Sequence, residues 1–276
     1  MKKLDFLRPV PIGNKIRVGR DLDGGYILYK PLLAETDALM SYGVGWDISF
    51  DEQFNKLTNK TVIMFDPTMF GKYMVDFRFL RARLLELRLM PAFVHLLRIW
   101  LLWKKRRKLA KRKIFFVNEG IAAAKSGKYD TFAHHIERFN LQGMQLLLKI
   151  DIESGEYDIF KEGSIYRNLQ QVNQIAIELH DLKNQLQEAR AIIAELENSF
   201  FLAHIHPTNW GKTFKIYDFE TNGQHDTIVP DVLELLFVRK DKVRKEDLLD
   251  RPVEYPIPGL DYCCNPETKD IAVDFI

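Results

Sequence analysis

The feature that most constrains this chain is a repeated alternation. Short, continuous apolar runs are separated by stretches with helical periodicity. The runs are Ala38–Tyr42, Thr61–Phe65, Ile114–Asn118, Gln145–Ile152, Asn173–Leu179, Phe200–His206 and Pro230–Val238. Unbroken apolar runs rich in β-branched and aromatic residues suit strands buried on both faces. Helices are expected at Ile48–Leu57, Thr131–Phe139, Gly155–Phe160 and Leu186–Asn198. The last shows the clearest stripe, from Leu186 through Ala189, Ile192 and Ile193 to Leu196. Strands alternating with helices predict a parallel sheet with helices on both faces. The last strand follows Asn222-Gly223 with no helix before it, which predicts antiparallel pairing with its predecessor. A length of 276 residues fits one such domain.

Ligands of these sheets bind beyond the carboxyl ends of the strands, where the strand order reverses. The first run ends in Ser41-Tyr42-Gly43-Val44-Gly45-Trp46-Asp47. Gly43 and Gly45 allow a tight turn and a close backbone approach to a ligand. On its own the pair marks only a strand–helix turn. The second run ends in Asp66, about 20 residues beyond, where an acid is placed to bind ribose hydroxyls. Asp66 could equally cap the turn before Pro67. Together the two motifs favour a nucleoside site.

Three further strand ends carry ionisable groups. Asp151, Glu153 and Glu156 follow one run, Glu178 and His180 end the next, and His204 and His206 end a third. Acids at the end of a buried strand are costly unless they meet a ligand, a metal or a partner. Cys263 and Cys264 are too few and too close for a disulfide framework or a zinc-finger pattern.

The phrases Gly19-Arg20-Asp21-Leu22-Asp23-Gly24-Gly25-Tyr26, Ser41 to Gly45, Phe65-Asp66-Pro67-Thr68, Lys149-Ile150-Asp151-Ile152-Glu153-Ser154-Gly155-Glu156 and Glu178-Leu179-His180 resemble FkbM-type and METTL-like methyltransferase domains. Leu260-Asp261-Tyr262, Asn265-Pro266 and Asp274-Phe275 resemble that group's tail. The likeness implies a single domain over residues 1–276, with a seven-stranded, Rossmann-like class I methyltransferase sheet. Residues 1–37 would be an N-terminal extension and 69–113 an insertion. It also implies S-adenosylmethionine as methyl donor and an oxygen acceptor on a glycan, lipid-linked sugar or small metabolite. The strand-end acid common two residues before the first glycine is Ser41 here, so Asp23, Asp47 or Asp151 would hold the donor's ammonium. Glu119, closing the third strand, would border the adenine.

Methyl transfer to a hydroxyl gains from a base, and neutral imidazole works near pH 7. His180 and His206 are the candidates, and His180, oriented by Glu178 or Asp151, is preferred. A divalent metal held by Asp151, Glu178 and His180 is the runner-up.

Residues 78–113 carry thirteen Lys or Arg and a single acid, Glu86, although the whole chain is only +2. The apolar run Leu89–Trp103 is too short to span a bilayer, which takes about 20 residues. An amphipathic hairpin on an anionic membrane surface fits, with Trp100 and Trp103 at the headgroups. A lid or dimer contact with a solvated basic face fits about as well, and nucleic acid is a poorer match. No secretory signal follows Met1. The chain therefore reads as cytoplasmic, or peripheral on the inner face of a membrane. The competing function is a non-catalytic module that uses residues 78–113 to dock.

Overall fold

The computed structural model describes residues 4–45, 47–68, 104, 107–161, 163–216 and 227–271. Most of the expected insertion, the Asn222-Gly223 turn and the closing Asp274-Phe275 lie outside the described residues.

The central sheet has seven strands: β3 (Ala38–Tyr42), β4 (Thr61–Phe65), β5 (Ile114–Val117), β8 (Leu146–Ile150), β9 (Val172–Leu179), β10 (Phe200–Pro207) and β13 (Leu233–Arg239). Across the sheet the order is β10-β13-β9-β8-β3-β4-β5. By rank among these strands this reads 3-2-1-4-5-7-6 from the β5 edge. Only β13 runs antiparallel, to both β9 and β10. The expected pairing with its predecessor is therefore present, and β13 also wedges that predecessor away from β9.

Helices α1 (Ser49–Thr58), α2 (Phe132–Arg138), α3 (Glu156–Lys161), α4 (Ser164–Asn168) and α5 (Leu182–Leu196) connect and cover the strands. Because side chains alternate along a strand, each strand feeds two cores. Met40, Tyr42, Ile63, Phe65, Leu148 and Ile150 pack on one face. Leu39, Val62, Met64, Leu147 and Ala176 pack on the other. In α5, Ala189, Ile192, Ile193 and Leu196 of the expected stripe are buried, and Leu186 is half-buried.

Residues before Ala38 contain a hairpin that sequence reading missed, β1 (Lys15–Val18) paired antiparallel with β2 (Tyr26–Tyr29). Every residue of β2 is buried. The Tyr29 N–H donates to Oε1 of Gln174, a buried residue of β9, at 2.9 Å. A smaller ribbon pairs β11 (Thr213–Ile216) with β12 (Thr227–Pro230), and two-residue strands β6 (Gly120–Ile121) and β7 (Tyr129–Asp130) pair in parallel. Among the described residues no helix is long and apolar enough to cross a membrane.

Candidate active site

Register brings the ionisable strand ends into one row. Tyr42 pairs with Phe65 on one side and Ile150 on the other, and Ile150 pairs with Ile177. The next residues of these strands, Gly43, Asp66, Asp151 and Glu178, therefore emerge side by side. Glu178 is opposite Glu234, which is opposite His206, and this extends the row across β13 to β10. The chain winds outward from β3 to β5 and returns through β8 to β9, so the order reverses between β3 and β8. A cleft of about 690 Å³ opens there, within the range of small-molecule sites.

The glycine loop forms one half of the cleft. Gly43 has φ +73°, and a Cβ there would sit 1.4 Å from the Asp151 carbonyl oxygen. Only glycine fits. Gly45, at φ +58°, has nothing within 4 Å of an added Cβ. Asp66 holds this loop: its Oδ2 accepts the Gly45 N–H at 2.9 Å. Its Oδ1 accepts the Thr68 N–H and hydroxyl at 2.8 and 2.7 Å. Asp47 caps α1, accepting the Ser49 N–H at 2.8 Å, and pairs with Arg20 at 2.9 Å. Asp23, exposed on the rim, lines the cleft with them.

The other half is acidic. Asp151 Oδ2 accepts from Lys149 at 3.0 Å and from the Tyr26 hydroxyl at 2.8 Å. The Lys149 ammonium also donates to the Gly43 carbonyl at 2.7 Å, and it is nearly fully buried. Glu178 stands beyond, its carboxyl pushed well up by burial and then by the charges of Asp151 and Glu234. Glu153 and Ser154 both take positive φ, 57° and 77°, in the turn after Asp151. Each costs about 1–2 kcal/mol in a non-glycine residue. This turn leaves the Glu153 side chain 89% exposed on the cleft wall.

His180 faces this group. Its Nδ1 lies 3.0 Å from Glu156 Oε1, which also accepts the Ile152 N–H at 2.9 Å. Glu156, fully buried at the start of α3, is therefore the residue that orients the ring, in place of the expected Glu178 or Asp151. Burial pulls the His180 pKa down, but the Glu156 bond and the charges of Glu178, Glu156 and Asp151 outweigh it and lift it to about 9. A pKa above neutral sets this imidazole apart from the neutral ring expected of a base. His206 fails for a stronger reason. It is fully buried, away from the cleft walls, with Nδ1 3.0 Å from Glu234 and Nε2 3.3 Å from Asp270. Burial lowers its pKa, yet hydrogen bonds to Asp270, Cys264 and Glu234 carry it up to about 12.

Glu119 is also displaced from its expected place. Its Oε2 lies 2.7 Å from Arg138 Nη1 on α2, which draws the side chain aside. Gly120 and Ile121 line that end of the cleft instead.

Sequence reading missed three residues. Tyr26 comes from the unforeseen hairpin, and Lys149 looked like a strand residue. Asp51, in the first turn of α1, is 2% exposed and lines the cleft, and its Oδ1 has no partner among the described residues. Burial raises its pKa to about 6 against the pull of Lys149. The only available sequence signal was an acid in a helix first turn, which usually marks a cap.

The sheet order, the reversal point and the glycine turn define a Rossmann-like fold of the kind built by class I methyltransferases. No protein-family model matches the chain, and no curated protein matches it. Among solved structures, the precorrin-6y C5,15-methyltransferase of Geobacter metallireducens GS-15 aligns over 75% of this chain and 82% of its own. The two are 10% identical, with a TM-score of 0.34. The chemistry of the cleft rests on the residues that line it.

Proposed function

We propose that this chain is an S-adenosylmethionine-dependent methyltransferase of the FkbM type, acting on a hydroxyl of a glycan, lipid-linked sugar or small metabolite. The observation that carries this reading is the Gly43–Gly45 loop, tied to Asp66 at the mouth of a cleft sized for a nucleoside with an amino-acid tail.

Bound S-adenosylmethionine supplies a methyl carbon already activated by its sulfonium. The protein's task is to align donor and acceptor. Asp66 accepts the ribose hydroxyls while holding the glycine loop. Asp23 faces the ammonium, whereas Asp47 is committed to Ser49 and Arg20 and Asp151 to Lys149 and Tyr26. Asp51 lines the cleft near Lys149 and Ser41, where the strand itself offers no carboxylate. Glu178, its carboxyl raised by burial and by the charges of Asp151 and Glu234, stands on the acceptor side as a hydrogen-bonding group. Arg107, Lys108 and Lys111, all exposed, would hold an anionic surface near a lipid-linked acceptor.

Calorimetric titration with S-adenosylmethionine and S-adenosylhomocysteine tests the reading. One-to-one binding is expected, weakened about 10- to 100-fold by Asp66→Asn, in line with loss of about 1–3 kcal/mol of hydrogen bonding. No binding of either ligand at millimolar concentration overturns the proposal.

A further inference from the structure

Two histidines lie at the ends of β9 and β10, on either side of β13, and their surroundings differ. His206 is closed: each ring nitrogen meets a carboxylate within hydrogen-bond reach. His180 is closed only at Nδ1, by Glu156. Its Nε2 points at Asp151 Oδ1 at 3.8 Å, Glu178 Oε1 at 3.7 Å and Glu153 Oε2 at 4.0 Å. All three are too long for hydrogen bonds, and a charge-assisted bond would draw in to about 2.8 Å.

The carboxylates are arranged to match. The oxygens held by the protein are the far ones. Asp151 Oδ2 takes Lys149 and Tyr26, and Glu178 Oε2 lies 3.4 Å from the Tyr26 hydroxyl. The near oxygens, Oδ1 and Oε1, turn toward Nε2, and the three ligand atoms lie within 4.8 Å of one another. Donors bound to one cation at about 2.1 Å sit roughly 3–4 Å apart. The Glu156 carboxylate behind His180 presents Nε2 forward, as in carboxylate–histidine–metal arrangements.

We propose that Asp151, Glu178 and His180 hold a divalent transition-metal cation on the acceptor side of the cleft. Two carboxylates and an imidazole suit Mn²⁺, Fe²⁺ or Zn²⁺ better than Ca²⁺. Three protein ligands leave positions open toward the cleft, which Asp151 and Glu153 line. The role of the cation rests on the methyltransferase reading. The acceptor's hydroxyl oxygen binds the metal and loses its proton to water at the open mouth. That oxygen then forms a bond to the methyl carbon as the carbon–sulfur bond breaks, and the electron pair returns to sulfur.

Titration of the metal-free protein with MnCl2, followed by electron paramagnetic resonance, tests the site without reference to activity. One equivalent of Mn²⁺ should bind, and its spin-echo envelope should show nitrogen modulation from an imidazole. His180→Asn should remove that modulation. Glu178→Gln, which relieves like-charge crowding and should fold, should weaken Mn²⁺ at least about tenfold. Glu156→Gln should weaken it about 10- to 100-fold through loss of ring orientation. No binding at 1 mM Mn²⁺, or binding indifferent to both His180→Asn and Glu178→Gln, overturns the proposal. A parallel S-adenosylmethionine titration separates the two readings. Mn²⁺ bound at this site without the nucleoside supports the metal and sinks the methyltransferase, while nucleoside binding without Mn²⁺ does the reverse.

Discussion

The two halves of the cleft are built on different principles. On the glycine-loop side, backbone and side chain satisfy one another: Asp66 takes three donors from its own loop, and Asp47 takes one end of α1 and Arg20. On the side of Asp151, Glu178 and His180, several carboxylates crowd together, and among the described residues only the buried Lys149 and the protonated His180 answer them. The first half is rigid before any ligand arrives. The second is charge-loaded and short of cations, the condition expected of a surface that completes itself with a ligand.

The largest effect should come from breaking the rigid half. Gly43→Ala places a Cβ on the Asp151 carbonyl and should cost about 4 kcal/mol or more, leaving little folded protein. Gly45→Ala meets no atom and should cost only about 1–2 kcal/mol, from its positive φ. Urea denaturation of the pair would show equal losses if the loop were merely a flexible turn.

Next in size is the acidic half without its lysine. Lys149→Met leaves Asp151 and Asp51 without their buried counter-charge and should cost about 3 kcal/mol. A thermal melt indistinguishable from the parent would mean that the carboxylates there need no cation.

These two halves were unequally legible in the sequence. β3 and β4 have the same bounds in both readings, because a five-residue apolar run flanked by polar turns leaves little choice. Gly43, Gly45 and Asp66 lie within 24 residues of one another and act locally, so their spacing carries their role. The acidic half depends on contacts across the chain: Tyr26 to Asp151 and Glu178 to Glu234. No periodicity encodes such pairs. The hairpin that supplies Tyr26 was missed because its strands are four residues long, and its buried face is covered by a sheet formed later in the sequence. His180 stood out at a strand end, but its charge did not, since burial and three carboxylates set it.

That charge makes a pH prediction. His180 titrates near 6.5 unfolded and at about 9 folded. The folded chain binds more protons between those values. The stability His180 contributes is therefore complete below about pH 6.5 and is lost as pH rises through 9. At 13% side-chain exposure the scale is on the order of 2–3 kcal/mol. Urea midpoints of the parent and His180→Gln should differ most at pH 6 and converge by pH 9.5. A pH-independent gap would show that the imidazolium is not held by Glu156 and its neighbours.

The smallest effect should come from the rim. Arg20 is 64% exposed in its pair with Asp47, so Arg20→Ala should change stability by less than about 1 kcal/mol and become silent in high salt. A larger loss would extend the rigid half outward to the surface.

The most direct test of the central claim is a crystal structure of the protein grown with S-adenosylhomocysteine. The account predicts the ribose hydroxyls within hydrogen-bond distance of Asp66, the chain passing Gly43 and Gly45, and the sulfur directed toward Asp151 and Glu178. A nucleoside bound elsewhere, or a cleft left empty at millimolar ligand, would contradict it.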